Sequence, residues 1–274
     1  MRGGMDEPEI ALVESIYDAL DGGMPERALE LARAALAGSE GEDPVLRFLV
    51  GRALIELDRP AEAAAELGRA VELDPDDSEF RADLAEALFM GCRFSEAHEH
   101  AKRAVELDGA LADAHYLLAL CLERRGEPAA ADRHFAWAAK LEPDRFPPPC
   151  RVSAQEFARQ LERARAELPP QFREHLEHVG LIVQDLPAEE LLREDEPWLN
   201  PELLGLFSGV PVDGQSYLGP GGELPARIYL FQRNLERTVT CPDELAEQIR
   251  VTLFHELGHY LGMDEEELDG AGYA

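Results

Sequence analysis

The chain has 274 residues, 45% of them apolar and 30% charged, which is enough to bury the cores of two modest water-soluble domains. Its 26 basic and 56 acidic residues leave a net charge of −30, carried by both halves: 16 basic against 32 acidic residues up to position 145, and 10 against 24 beyond it. Such a surface repels nucleic acid and anionic lipid, whose binding depends on Lys and Arg neutralising phosphates, so neither nucleic acid nor membrane is expected as a partner.

The opening Met1-Arg2-Gly3-Gly4-Met5-Asp6-Glu7-Pro8 lacks the apolar core of a signal peptide. No later run approaches the ~18 apolar residues of a membrane span. Cys92, Cys121, Cys150 and Cys241 form no CxxC pair and fit reduced thiols, so a cytoplasmic location is expected.

Three segments then align without gaps at a period of 34, starting at Pro44, Ser78 and Ala112. Their eighth position holds Gly51, Ala85 and Ala119, and their eleventh Leu54, Leu88 and Leu122. The twentieth holds Ala63, Ala97 and Ala131, the twenty-seventh Ala70, Ala104 and Ala138, and the thirty-second Pro75, Gly109 and Pro143. Small residues in three columns let two antiparallel helices approach closely, and a helix breaker ends each unit. A longer, degenerate copy starts near Glu9, with Ala28 and Ala35 in two of the small-residue columns. The pattern resembles the tetratricopeptide repeat, which implies an α-helical solenoid of about four helix pairs over residues 1–145. In that family the first helix of each unit lines a groove. Here those columns hold Arg52 and Arg124 against Glu56, Glu79, Asp83, Glu86, Asp113 and Glu123, with Phe48, Phe89, Met90 and Tyr116 among them. A partner protein in this groove is expected to be basic and partly apolar.

Asp144-Arg145-Phe146-Pro147-Pro148-Pro149-Cys150 reads as a stiff break, and residues 146–151 as a linker. Ser153 and Glu156 make a capping box for a helix whose stripe is Phe157, Leu161, Ala164 and Leu168. Pro169-Pro170 ends it, and a short helix through Phe172 and Leu176 follows. Val179 to Val183 and Arg227 to Gln232 read as strands, separated by a long loop rich in Gly, Pro and acid. A last helix opens at Thr240-Cys241-Pro242 and buries Leu245, Ile249, Leu253, Leu257 and Leu261.

That helix carries His255-Glu256-Leu257-Gly258-His259. Two histidines four apart project from one helix face and can share a tetrahedral zinc ion. Glu256 lies beside them, where its carboxylate can take a proton from a water that the metal activates. Gly262, three residues on, can reverse the chain in the left-handed conformation and bring the acids of Met263-Asp264-Glu265-Glu266-Glu267 back toward the histidines. The run resembles the HExxHxxGxx-ligand arrangement of metzincins, which implies Glu265 as the third zinc ligand, with Asp264 as the rival. From Val152 to Met263 the sequence is similar to small bacterial zincin-like metallopeptidases. The matching stretches include Leu204-Gly205-Leu206-Phe207-Ser208-Gly209-Val210-Pro211, Leu224-Pro225-Ala226-Arg227-Ile228-Tyr229-Leu230-Phe231 and Thr252-Leu253-Phe254-His255-Glu256. That resemblance implies a compact α+β zincin-like domain over 152–274. It also implies hydrolysis of peptide bonds with Glu256 as general base, the repeats recruiting a protein or peptide substrate or a partner. The alternative is a zincin fold without activity that serves as an interaction scaffold. As the last strand before the zinc helix, Arg227 to Gln232 is expected to pair with an extended substrate.

Overall fold

Repetition in the sequence becomes repetition in the backbone. The computed structural model describes residues 7–39, 42–193, 198–210, 226–264 and 267–268, and the chain divides into two compact units, Met1–Phe146 and Pro147–Ala274. The first unit is a row of helix pairs: α1 (Glu7–Asp21) with α2 (Pro25–Gly38), α3 (Pro44–Glu56) with α4 (Pro60–Leu73), α5 (Ser78–Met90) with α6 (Phe94–Leu107), and α7 (Ala112–Arg124) with α8 (Pro128–Leu141). Proline in the first turn of α2, α3, α4 and α8 supplies a ready-made helical φ where no N–H is needed.

Each pair is joined by the same turn. Arg59, Arg93 and Glu127 donate backbone N–H to the carbonyls of Leu54, Leu88 and Leu122 at 2.9, 2.8 and 2.9 Å, and Met24 to Ala19 at 2.9 Å. Closing such a turn needs one left-handed residue. It is Gly23 (φ 65°), Asp58 (φ 51°), Cys92 (φ 53°) and Gly126 (φ 73°), so two of the four turns adopt this conformation without glycine. The alanine columns are the seam: Ala63, Ala97, Ala131, Ala70, Ala104 and Ala138 are fully buried. At Gly51 the helices come so close that an added Cβ would lie 2.4 Å from Leu67 Cγ.

Two residues expected in the groove are elsewhere. Phe48 and Phe89 are 2% and 3% exposed, Phe48 packed on Phe80 with ring centroids 4.8 Å apart and Phe89 on Phe94 at 5.2 Å. Large rings in these columns stack on the neighbouring helices of the row, which repays their burial more than contact with water would.

The second unit contains α9 (Ala154–Glu167), α10 (Pro170–Leu176), β1 (Gly180–Gln184), α11 (Glu189–Leu192), β2 (Gly205–Ser208), β3 (Arg227–Phe231), α12 (Gln232–Arg237) and α13 (Pro242–Tyr260). Ser153 caps α9 by accepting from the Glu156 N–H at 3.2 Å, while the Glu156 carboxylate turns to Arg159 and Gln160. The sheet order is β1-β3-β2, with β1 parallel and β2 antiparallel to β3. Ile228 and Leu230 of β3 are fully buried in the core that Phe157, Leu161, Leu245, Ile249, Leu253 and Leu257 complete from α9 and α13. Glu236, with no exposed surface, accepts from Arg151, Arg233, Gln232 and the Val152 N–H at 3.0, 2.9, 2.7 and 3.2 Å. A buried carboxylate is tolerated when so paired, and here it ties the start of the unit to α12.

This topology corrects the expected substrate strand. β3 has neighbours on both edges, so its main chain has no open edge for a ligand. α13 packs against both β3 and β2, and β2 lies within the stretch read as loop, where four residues beginning with glycine give no periodicity to detect.

Candidate metal centre

α13 begins where Pro242 takes the first helical position after Cys241, with the Glu244 carboxylate accepting from the Thr240 and Cys241 N–H groups at 2.9 and 3.3 Å. Leu245, Ile249, Leu253 and Leu257 bury one side, and this rotation sets the face that carries the motif. His255 and His259 are half-buried, with Nε2 atoms 3.0 Å apart and rings nearly perpendicular at 86°. Glu256 is 7% exposed, and its Oε2 accepts the Phe207 N–H of β2 at 2.6 Å. Glu256 and His259 share a pocket with Leu206, Phe207, Gly209, Gly262 and Met263.

The chain turns back where glycine was expected to allow it. Gly262 has φ 83°, and the Met263 N–H reaches the Gly258 carbonyl at 3.0 Å. Leu268, 1% exposed, then packs against the helix at Gly258, where an added Cβ would sit 2.2 Å from Leu268 Cδ2. Asp264 and Glu267 are occupied with each other's backbone: Glu267 N–H donates to Asp264 Oδ1 at 2.9 Å and Asp264 N–H to Glu267 Oε2 at 3.1 Å. Glu265 lies outside the described residues, as do Glu266, Pro211, Leu224 and Pro225. Among the described residues no group of three or more His, Cys, Asp or Glu side chains could hold a metal ion.

The two histidines suit zinc on their own geometry. Nitrogens bound at about 2.05 Å to a tetrahedral ion stand ~3.3 Å apart, so the observed separation needs only a slight opening. Tyr260, 5% exposed, packs edge-on to His175 and Phe207, and Tyr229 stacks on Phe231, so both are accounted for by packing. In the repeats, His115 and His134 approach to 2.9 Å through their Nδ1 atoms, a pair that spacing along the sequence did not announce because it joins α7 to α8. Sequence reasoning also missed Phe207, whose contribution is a backbone N–H and leaves no mark on residue type.

Comparison with known proteins agrees with this division. The tetratricopeptide repeat family matches residues 19–87 and 54–108, and the zincin-like metallopeptidase family matches residues 176–273. The chain therefore carries a tetratricopeptide solenoid followed by a small zincin-like α+β domain. Among solved structures it is similar to MamA, at 22% identity and a TM-score of 0.42 over 52% of this chain and 77% of that one. It is also similar to YrrB, described as a TPR protein with an unusual peptide-binding site, at 25% identity and a TM-score of 0.42 over 49% of this chain and 69% of that one. No curated protein matches it. Among the described residues no helix is long and apolar enough to cross a membrane.

Proposed function

We propose that residues 152–274 form a zinc-dependent metallopeptidase domain, that residues 1–145 recruit its substrate or a partner, and that 146–151 link the two. The observation that carries this reading is the convergence of the His255 and His259 ring nitrogens, 3.0 Å apart, with His259 and Glu256 lining one pocket. His255 and His259 would hold the ion, with Glu265 as third ligand. Asp264 is the weaker candidate because its carboxylate already caps the Glu267 N–H. When bound, zinc supplies a Lewis acid that draws charge from a carbonyl and makes water a better proton donor. Glu256 takes that water's proton on its carboxylate and delivers it to the leaving amine. Leu206, Phe207 and Met263 give the pocket an apolar wall that limits competing water. Four free thiols suit work in a reducing compartment, the cytoplasm.

In the repeats, Glu79 is exposed, and the half-buried Arg52 and the exposed Arg145 are already paired with Asp83 and Asp113 at 3.5 and 2.5 Å. Glu56 is exposed as well, and the negative charge of Glu56 and Glu79 supports a basic segment as partner; with Phe48 and Phe89 buried, their rings are not its apolar anchors.

Metal analysis and a broad peptide-library digest of wild type and Glu256→Gln test the function. About one zinc per chain is expected in both, with cleavage reduced roughly 10²–10⁴-fold in the variant. Metal-free wild type after zinc-replete purification overturns the centre. Zinc-loaded wild type that cleaves no peptide favours a scaffold.

A further inference from the structure

We propose that the main chain of β2 seats the Glu256 carboxylate, with the Phe207 N–H as its anchor and the absent side chain of Gly205 as its clearance. This inference rests on the peptidase reading of α13, and it makes Gly205 and Phe207 positioning residues for the base.

Among the described residues β2 is an edge strand. Its inner side faces β3, with Leu206 opposite Tyr229 and Ser208 opposite Arg227, and the Leu204 carbonyl continues that side by accepting the Phe231 N–H at 3.0 Å. Alternate residues, Gly205 and Phe207, turn their peptide groups to the outer edge, where a sheet ordinarily leaves N–H groups without a strand to pair with. α13 packs against β2 as well as β3, with Thr252 and Glu256 over Gly205. Glu256 is 7% exposed, and a carboxylate so withdrawn from water is costly unless it is hydrogen-bonded. The Phe207 N–H provides that bond at 2.6 Å, at the short end for a charge-assisted contact.

The helix can come this close because position 205 is glycine. An added Cβ there would lie 2.7 Å from Thr252 Cγ2, 3.0 Å from Glu256 Cγ and 3.1 Å from Glu256 Oε1. Glu256 thus lies across Gly205 with its carboxylate reaching Phe207 two residues on. Thr252, one turn earlier on α13, gives its hydroxyl to the Gln248 carbonyl at 2.9 Å, which turns that donor away from Glu256. The donor to Oε2 belongs to the backbone, so the base inherits the rigidity of the sheet rather than that of a rotatable side chain. A side-chain change at 207 leaves the donor in place. Displacing the strand removes it, and a methyl group at 205 does so.

The test uses the zinc-loaded full chain and two readouts. Amide exchange at Phe207, followed by NMR, should be slow in wild type and faster in Glu256→Ala and Gly205→Ala. Gly205→Ala should keep its zinc and lose roughly 10²-fold in kcat with KM little changed, as expected when a reacting group is misplaced by about 1 Å. Glu256→Ala supplies the exchange readout even if Gly205→Ala does not fold. An unaltered Phe207 amide in Glu256→Ala, or full kcat in a folded Gly205→Ala, overturns the seat. Wild type that cleaves nothing while the amide responds overturns the peptidase reading and leaves the seat standing.

Discussion

Two histidine pairs, one in each unit, bring ring nitrogens within 3.0 Å, and they are built to opposite ends. His115 and His134 meet across α7 and α8 with Nδ1 atoms 2.9 Å apart. His115 is 5% exposed, its Nε2 reaches the Gly109 carbonyl at 3.1 Å, and Trp137 stacks on it with ring centroids 6.0 Å apart. Burial lowers the pKa of His134, and the neighbouring His115 and Arg133 add to the effect; the two rings share one hydrogen bond between helices. His255 and His259 instead stand on a single helix, half-buried, with Glu256 between them and His259 on an open pocket. Proximity of imidazoles is common to both; what separates the first pair from the proposed metal centre is the acid beside the second and the open space in front of it.

That contrast can be broken. His259→Ala should lower the zinc content from about one per chain to near none. His134→Ala should keep the zinc and lower stability by about 1 kcal/mol, the worth of one hydrogen bond. Metal analysis and thermal unfolding of both variants decide it, and equal zinc loss would erase the distinction.

A second contrast is between two close approaches, Leu268 on Gly258 and Leu67 on Gly51. Leu268→Ala empties a fully packed position, so a stability loss of roughly 2–5 kcal/mol is expected. Zinc affinity should also fall about ten-fold, because the same side chain braces the turn next to His259. Isothermal titration with zinc separates the two effects.

Gly51→Ala should cost about 1–3 kcal/mol in the unfolding of the repeats, since Leu67 must shift. The sister columns already hold Ala85 and Ala119, with Ala101 and Phe135 in the column of Leu67. Gly68→Ala, with open space around its added Cβ, should instead stabilise by about 0.5–1 kcal/mol through helix propensity. Zinc content is expected to stay unchanged in both variants.

A further effect concerns pH. Burial raises the Asp83 carboxyl to about 8, and the nearby Glu86, Asp113 and Glu79 add to what Arg52 opposes. The folded repeats therefore hold this proton more tightly than the unfolded chain does. The resulting contribution to stability is full below the unfolded carboxylate range, near pH 4, and is lost as pH rises toward 8. Asp83→Asn should match wild type at low pH and exceed it increasingly up to about pH 8. Denaturation midpoints across that range that stay parallel would count against a buried proton.

Much of the fold was legible because its contacts are local. Alanine columns at a period of 34 mark a seam that each helix pair rebuilds with its neighbour, and His255, Glu256 and His259 need only one helix to share a face. The reversal at Gly262 was legible for the same reason, since one glycine after a helix suffices. The inward turn of Phe48 and Phe89 was not, because an aromatic column looks alike whether it lines a groove or fills a seam. Nor were the left-handed turns at Asp58 and Cys92, where closure of the helix pair overrides residue preference.

By itself, then, the sequence determined a repeat solenoid, a zincin-like domain behind a proline break, and a histidine pair with its acid on the last helix. Tertiary structure alone decided which strand gives its backbone N–H to the acid of that helix. β2, the Glu256 bond to Phe207 across 49 positions and the Glu236 bond to Arg151 across 85 all depend on partners far away in the chain. The physical reason is that a helix face or a repeat writes its partners into residue spacing, whereas a strand edge recognises through backbone N–H groups that nearly every residue type possesses.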